Sequence, residues 1–342
     1  MKQLVECVPN FSEGRDRALI DKIVAAMAAV KGVKVLDVDP GADTNRTVVT
    51  LIGEPAPVSE AAFQGIRKAA ELIDMSKHRG AHPRIGATDV CPFVPVSGVT
   101  MEDCAELARG LGRRVGEELG IPAYLYEAAA ANPRRQNLAD IRAGEYEGLE
   151  EKLKDPEWKP DFGPAKFHAR AGATVIGARE FLIAYNINFN TRDAALINDI
   201  ALEIREKGRL KKDAKGAAVK DEKGEKVFIP GKFKSVKAIG WYIEQYGCAQ
   251  LSINFTNYKI SPVHEVFVEV CKQAEARGLR VTGSELVGLI PKQALLDAGA
   301  FFLARQGKPT GVPEEERIHI AVKSLGLAEL TPFDPQKKII EY

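Results

Sequence analysis

Residues 4–23 read LVECVPNFSEGRDRALIDKI, and residues 181–200 read FLIAYNINFNTRDAALINDI. Each stretch opens on an apolar, β-prone run. Each then carries Asn-Phe (Asn10-Phe11; Asn188-Phe189), Arg-Asp (Arg15-Asp16; Arg192-Asp193) and Ala-Leu-Ile. In the first copy Leu19, Ile20, Ile23, Val24, Met27 and Val30 recur on one face at helical spacing. The echo continues outward. Val33 to Val38 and Val236 to Ile243 read as strands, and so do RTVVTLIG (46–53) and AQLSINFT (249–256). PVSEAAFQGIRKAAEL (57–72) matches PVHEVFVEVCKQAEAR (262–277), and both open on Pro-Val, which suits a helix start. Apolar strands follow at DVCPFVPV (89–96) and LRVTGSEL (279–286).

The order β-α-β-β-α-β thus occurs twice, which is the split βαβ or ferredoxin-like pattern. We expect an α+β chain of two tandem ferredoxin-like subdomains with a ligand cleft or tunnel between them. The expected limits are 1–178 for the N-terminal subdomain, 179–330 for the C-terminal one, and 331–342 for a tail. Residues 208–235 are rich in Lys and Gly and read as a solvated excursion with a small hairpin turning at Lys223-Gly224. Residues 154–173 carry several Gly and Pro breaks and no periodicity, and read as a linker.

A chain of 342 residues is long enough for two cores. Its 48 Lys and Arg balance 47 Asp and Glu, which argues against nucleic acid or an acidic membrane as partner. A small anion remains possible, since a local Arg cluster can hold one. Apolar runs are too short to span a bilayer, and the N-terminus turns polar too early for a signal peptide. The five cysteines form no C-x-x-C pair, so we expect neither a zinc site nor a disulfide framework. The expected setting is the cytoplasm.

Chemistry concentrates in HRGAHPRIGATDVCPFVPV (78–96), a Gly/Pro-punctuated loop running into a strand. His82 can exchange a proton near neutral pH. Pro83 biases it toward extended backbone. A purely structural loop histidine is the competing reading, for His78 more than for His82. His78 and His82 are four apart, but two glycines and a proline preclude a helix that would align them on a metal, and H-E-x-x-H is absent. A second cluster is LDVDPGADTNRTVVTL (36–51). Turn chemistry explains Asp43 and Asn45. It explains Asp39 and Arg46 less well, because they sit at strand ends where side chains converge. Asn10, on a central strand of this topology, could reach the same place, or serve only as a turn residue. No phosphate loop or serine elbow occurs. The residues alone stop at an enzyme of two subdomains that handles a small polar compound.

The stretches LVECVPNFSEG, DVDPGADTNRTV, LIDMSKHRGAHPRIGATDVCPFVPV, DIRAGEYEGL (140–149), DFGP, GAREFLIAYNIN, IGWY and LGL…PFDPQKKIIEY resemble the glutamate formiminotransferase family over nearly the whole chain. Animal members carry a fused cyclodeaminase domain; this chain stops near KKIIEY, and the resemblance implies the transferase alone. It implies transfer of the formimino group of N-formimino-L-glutamate to N5 of tetrahydrofolate, as in histidine breakdown, by a homodimer with no metal. The family's catalytic histidine falls on His82. A folate-binding segment falls on Gly163, Pro164, Ala165, Lys166, Phe167, His168, Ala169, Arg170, Ala171 and Gly172. Chemical inference adds Asp39 as a carboxylate for the cationic amidine or for orienting His82. Arg46, Arg79 and Arg84, with Asn10, are expected at the substrate carboxylates. A formylglutamate or formiminoglycine donor stays open, as does a folate-binding protein without catalysis or, more distantly, a metal hydrolase.

Overall fold

The computed structural model describes residues 3–341 apart from 43, 81 and 223, so the expected Asp43 and Lys223 turn positions lie outside the described residues. The chain forms two compact units, 1–180 and 181–342.

The first unit opens with β1 (Leu4–Cys7) and β2 (Asn10–Phe11), followed by α1 (Arg17–Ala28), β3 (Val33–Gly41) and β4 (Arg46–Gly53). It continues with α2 (Pro55–Leu72), β5 (Thr88–Ser97), α3 (Met101–Glu118) and β6 (Ala123–Glu127). Two short helices, α4 (Leu138–Arg142) and α5 (Glu145–Lys152), precede β7 (Thr174–Ala178). The second unit holds β8 (Ile183–Phe189), α6 (Ala194–Ile204), β9 (Arg209–Leu210), β10 (Phe228–Ile229), β11 (Val236–Ile243) and β12 (Cys248–Phe255). It closes with α7 (Val263–Glu275), β13 (Val281–Val287), α8 (Lys292–Arg305), α9 (Glu314–Leu325) and α10 (Pro335–Lys338).

The repeat read in the sequence is a repeat of sheets. In the second unit the order is β11-β12-β8-β13, every neighbour antiparallel. In the first, β3-β4-β1-β5 follows the same order, with β2 continuing β1 beyond the break at Val8-Pro9. The shared Arg-Asp now has a physical reason. Asp16 caps α1 by accepting from the Leu19 N–H at 3.0 Å, and Asp193 caps α6 through Ala195 and Leu196.

The first unit then departs from its partner. Its sheet extends by β7 and β6, both parallel to β5. The crossover is α3, whose start is a capping box between Thr100 and Asp103. One sheet face packs on α1, α2 and α3. There Val49, Leu51, Cys7 and Phe93 meet Phe63 and Ile66 of α2 and Leu111 of α3. Each such fully buried side chain contributes roughly 1.5–3 kcal/mol. The opposite face, at β6 and β7, packs Tyr124, Tyr126 and Val175 under Ile141 and Leu149 of α4 and α5. In the second unit the closing segment returns to pair Ile339 with Ile290, and Ile339 and Ile340 are buried, so this segment packs with that unit up to residue 341. No helix among the described residues is long and apolar enough to cross a membrane.

Candidate active site

Antiparallel pairing sets Asn10 and Asp39 on either side of Val48, so the three form one row across β2, β4 and β3. Arg46 lies two residues further along β4 on the same face, opposite Gly41. Val49, the next residue after Val48 and so on the other face, points to the helix-covered core. The sheet therefore aims polar groups at the side that carries the loop 73–87.

That loop is stitched to β4 by one residue. Asn45 adopts a left-handed φ of 48°, which Asn tolerates better than most side chains. Its Oδ1 accepts from Gly14 N–H at 3.0 Å, its Nδ2 donates to the Arg79 carbonyl at 2.9 Å, and its carbonyl accepts from His78 Nε2 at 2.8 Å. Gly80 lies so close that a Cβ there would sit 2.3 Å from the Thr44 carbonyl. His78 is buried, accepts from Arg84 Nε at 3.1 Å, and is held neutral chiefly by desolvation.

His82 is half-buried at the end of this stitch. Its Nε2 lies 2.7 Å from Arg46 Nη1. Guanidinium can only donate, so Nε2 carries the lone pair. Pro83 has no N–H, so the ring's bond to the Pro83 backbone uses the carbonyl, which leaves the proton on Nδ1. Burial, then the charges of Arg46, Arg142 and Arg84, hold the imidazole down to about 3. It is a neutral base here, not an acid.

Arg142, at the end of α4, is ion-paired to the fully buried Asp89, which also accepts from Ile85 N–H at 3.0 Å. Burial pushes the Asp89 carboxyl up and Arg142 opposes this. Arg46 is itself lowered, first by burial and next by Arg142, with Asp89 and Asp39 acting the other way.

Among the residues singled out from sequence, His82 and Arg46 are in contact; Asn10 shares the sheet face of Arg46 through Val48, and its Nδ2 donates to the Val8 carbonyl at 3.0 Å. Asp39 is exposed on β3 and reaches Arg46 through its charge; the His82 ring bonds Arg46 and Pro83, not Asp39. Arg79 is exposed and folds back onto the His78 carbonyl at 2.6 Å. Arg84 is a correction. It is buried and spent on Glu147, Glu145 and His78, so its guanidinium holds the loop on α5 and has no free fork for substrate.

Gly163 and Gly172 adopt φ of 80° and 67°. A Cβ would meet the Ile121 carbonyl at 2.6 Å in the first and the Ile85 carbonyl at 2.2 Å in the second. Between them Pro164, Ala165, Lys166, Ala169 and Arg170 are exposed and Phe167 and His168 half-buried. The segment read as a linker is pinned beside the histidine loop: Ala87 N–H donates to the Ala171 carbonyl at 2.8 Å, Ala173 N–H to Ile85 at 3.0 Å, and Met75 N–H to Arg170 at 2.9 Å. Tyr146 packs its ring 5.3 Å from Phe167 and receives the Arg84 carbonyl on its N–H.

Sequence reasoning missed Arg142 and the stitching role of Asn45. DIRAGEYEGL stood out as a motif, but no local spacing joins residue 142 to a histidine sixty positions earlier. The site is thus a half-buried base among guanidinium groups beside a glycine-bounded loop, the chemistry of a proton-shuttling group transferase acting on anions. Family models agree: "Formiminotransferase domain, N-terminal subdomain" matches residues 4–179 and "Formiminotransferase domain" matches 184–342. The chain belongs to the formiminotransferase family. It is 51% identical, over its full length, to a formimidoyltransferase-cyclodeaminase of Mus musculus, of which it spans 60%. It is 45% identical to a glutamate formimidoyltransferase of Thermoplasma acidophilum, covering 93% of this chain and 98% of that protein. A glutamate formimidoyltransferase of Streptococcus pyogenes is 42% identical over 89% of this chain and 94% of its own length.

Proposed function

We propose that this chain transfers the formimino group of N-formimino-L-glutamate to N5 of tetrahydrofolate, yielding 5-formiminotetrahydrofolate and L-glutamate. Family membership and the two glutamate formimidoyltransferases matched along most of their length support the reaction. The observation that carries the mechanism is the neutral His82 ring with its lone pair on Nε2.

The chemistry follows from that ring. N5 attacks the amidine carbon and the N5–C bond forms. His82 Nε2 takes the N5 proton. The resulting imidazolium returns that proton to the glutamate nitrogen as its C–N bond breaks, so the ring ends neutral. A single base serving both steps is worth typically 10²–10⁴-fold. Asp39 is our candidate for the cationic amidine, through its charge at the edge of β3. Arg46, with Asn10 beside it, faces the donor's carboxylates, and residues 163–172 carry the folate. The same reading takes both units as ferredoxin-like and the enzyme as a homodimer.

The test is a direct assay of the purified protein with N-formiminoglutamate, N-formylglutamate and N-formiminoglycine in turn, following the substituted folate spectroscopically. Turnover should be confined to, or at least tenfold better with, N-formiminoglutamate: N-formiminoglycine lacks the second carboxylate and leaves a guanidinium unpaired, and N-formylglutamate lacks the cationic amidine that Asp39 would face. Turnover with N-formylglutamate alone would replace the donor, and folate binding without turnover on any of the three would remove the enzyme reading.

A further inference from the structure

His82 is a base whose lone pair is already in use. A nitrogen accepting from Arg46 at 2.7 Å cannot also take a proton from a substrate. Guanidinium does not deprotonate at neutral pH. The ring is also tied to the Pro83 backbone, so we take Arg46 as the partner that moves when the contact ends.

A second observation lies across the ring. Arg142 gives one nitrogen to Asp89, yet its Nε is buried and finds no partner among the described residues. Buried donors are normally bonded. Arg142 acts through its charge on both His82 and Arg46. The charged groups that bear on this spot can be named by element. They are Arg46 of β4, Arg142 of α4, Arg84 of the loop, Asp89 of β5 and Asp39 of β3. Arg84 is neutralised by Glu145 and Glu147. Asp89 serves Arg142, and Asp39 is solvent-exposed. Two guanidiniums thus share less negative charge than they could bind, and one of them leans on an imidazole. A carboxylate is the ligand that completes such a pair.

We propose that Arg46 and Arg142 form a carboxylate seat beside His82, and that a donor carboxylate entering it draws Arg46 off the ring and releases the Nε2 lone pair. This rests on His82 being the transfer base. The base then becomes available only once the amino-acid donor is bound, and tetrahydrofolate alone meets a capped ring.

The test uses the full chain carrying ¹⁵N-histidine, with His82 assigned through His82→Gln and glutarate as the probe. Ring nitrogen shifts report tautomer and protonation without turnover. In the free protein the His82 ring should stay neutral, with its proton on Nδ1, down to pH 5. Saturating glutarate should raise its pKa by about one pH unit or more, a tenfold gain in proton affinity. Arg46→Gln should show that rise without glutarate and little more with it. Arg142→Gln should weaken glutarate about tenfold or more while the Nε2 shift still reports the Arg46 contact. Arg46→Lys covers the chance that the glutamine variant unfolds, with the buried His78 ring of the same unit, bonded to the Asn45 carbonyl, marking an intact fold in each case. A His82 signal indifferent to saturating glutarate, absence of glutarate binding, or an Arg46→Gln ring as resistant to protonation as the wild type overturns the proposal. These outcomes are separate from the donor assay: a protein that turns over N-formiminoglutamate through His82 but leaves the ring unmoved by glutarate keeps its function and loses the seat.

Discussion

An imidazole held near 3 is a poor proton acceptor at neutral pH, because base strength tracks pKa. Its surroundings must therefore differ between the free enzyme and the working complex. The acid limb of kcat/KM, which reports the free enzyme, should lie well below the ordinary histidine value of about 6.5. The acid limb of kcat, which reports the complex, should lie higher. Coincident limbs in a pH-rate study would contradict this. His82→Gln keeps bulk and loses the base, so kcat should fall by roughly 10²–10⁴-fold with folate affinity little changed, as steady-state kinetics with a fluorescence titration would show. His82 and Arg46 were legible in the sequence because ionisable groups packed into Gly/Pro-broken loops at strand ends have few structural uses. Arg142 was not, since its meaning lies in Asp89 across the fold. Arg84 misled for the same reason: a lone Arg after His-Pro looks like a ligand fork until Glu145 and Glu147 are seen to hold it.

The strands and helices shared by both copies announced themselves through apolar spacing and repeated turn residues, and their observed limits stay within a few residues of the expected ones. Segment 163–172 could not announce itself. It is held by backbone bonds and by glycines at left-handed φ, and neither leaves a periodic trace. Gly172→Ala should therefore do more than a surface change. The strained φ costs about 1–3 kcal/mol, and the 2.2 Å approach to the Ile85 carbonyl forces the segment away from the 73–87 loop. Thermal unfolding should show a lowered midpoint, and folate should bind more weakly than to a Gly120→Ala control. Gly120 has φ of 65° but nothing within 4 Å of a Cβ. Equal losses in the two variants would mean that φ strain alone matters and that the close approach is incidental. The Asp caps make a gentler case: Asp193→Ala should remove about 1 kcal/mol from the second unit, read as a shift in urea midpoint without change in slope.

Across the whole chain, two copies of one sheet have been put to different use. The connection from α2 to β5 spans residues 73–87, whereas its counterpart from α7 to β13 spans only 276–280. The first unit alone also gains β6, β7 and the helices that bring Arg142. The repeat therefore exposed the common frame and hid the additions, which repeat nothing. One property nevertheless runs through both units: His78 and His82 in the first and His264 in the second are all lowered, in each case first by burial. The unfolded chain binds protons at these sites below about 6.5, where the folded chain does not, so stability is present above that pH and is lost as pH falls. His264 offers the cleanest test. Its ring packs 4.6 Å from Phe301 and its buried Nδ1 has no hydrogen bond among the described residues, so a hydrophobic ring of similar shape should fit without losing one. His264→Phe should be as stable as the wild type or more so at pH 7.5. Between pH 7.5 and 5.5 its urea midpoint should fall less than the wild type's, with the remainder belonging to His78 and His82. A midpoint that falls as steeply as the wild type's would show that the His264 ring already takes up its proton inside the fold, and that acid sensitivity arises elsewhere.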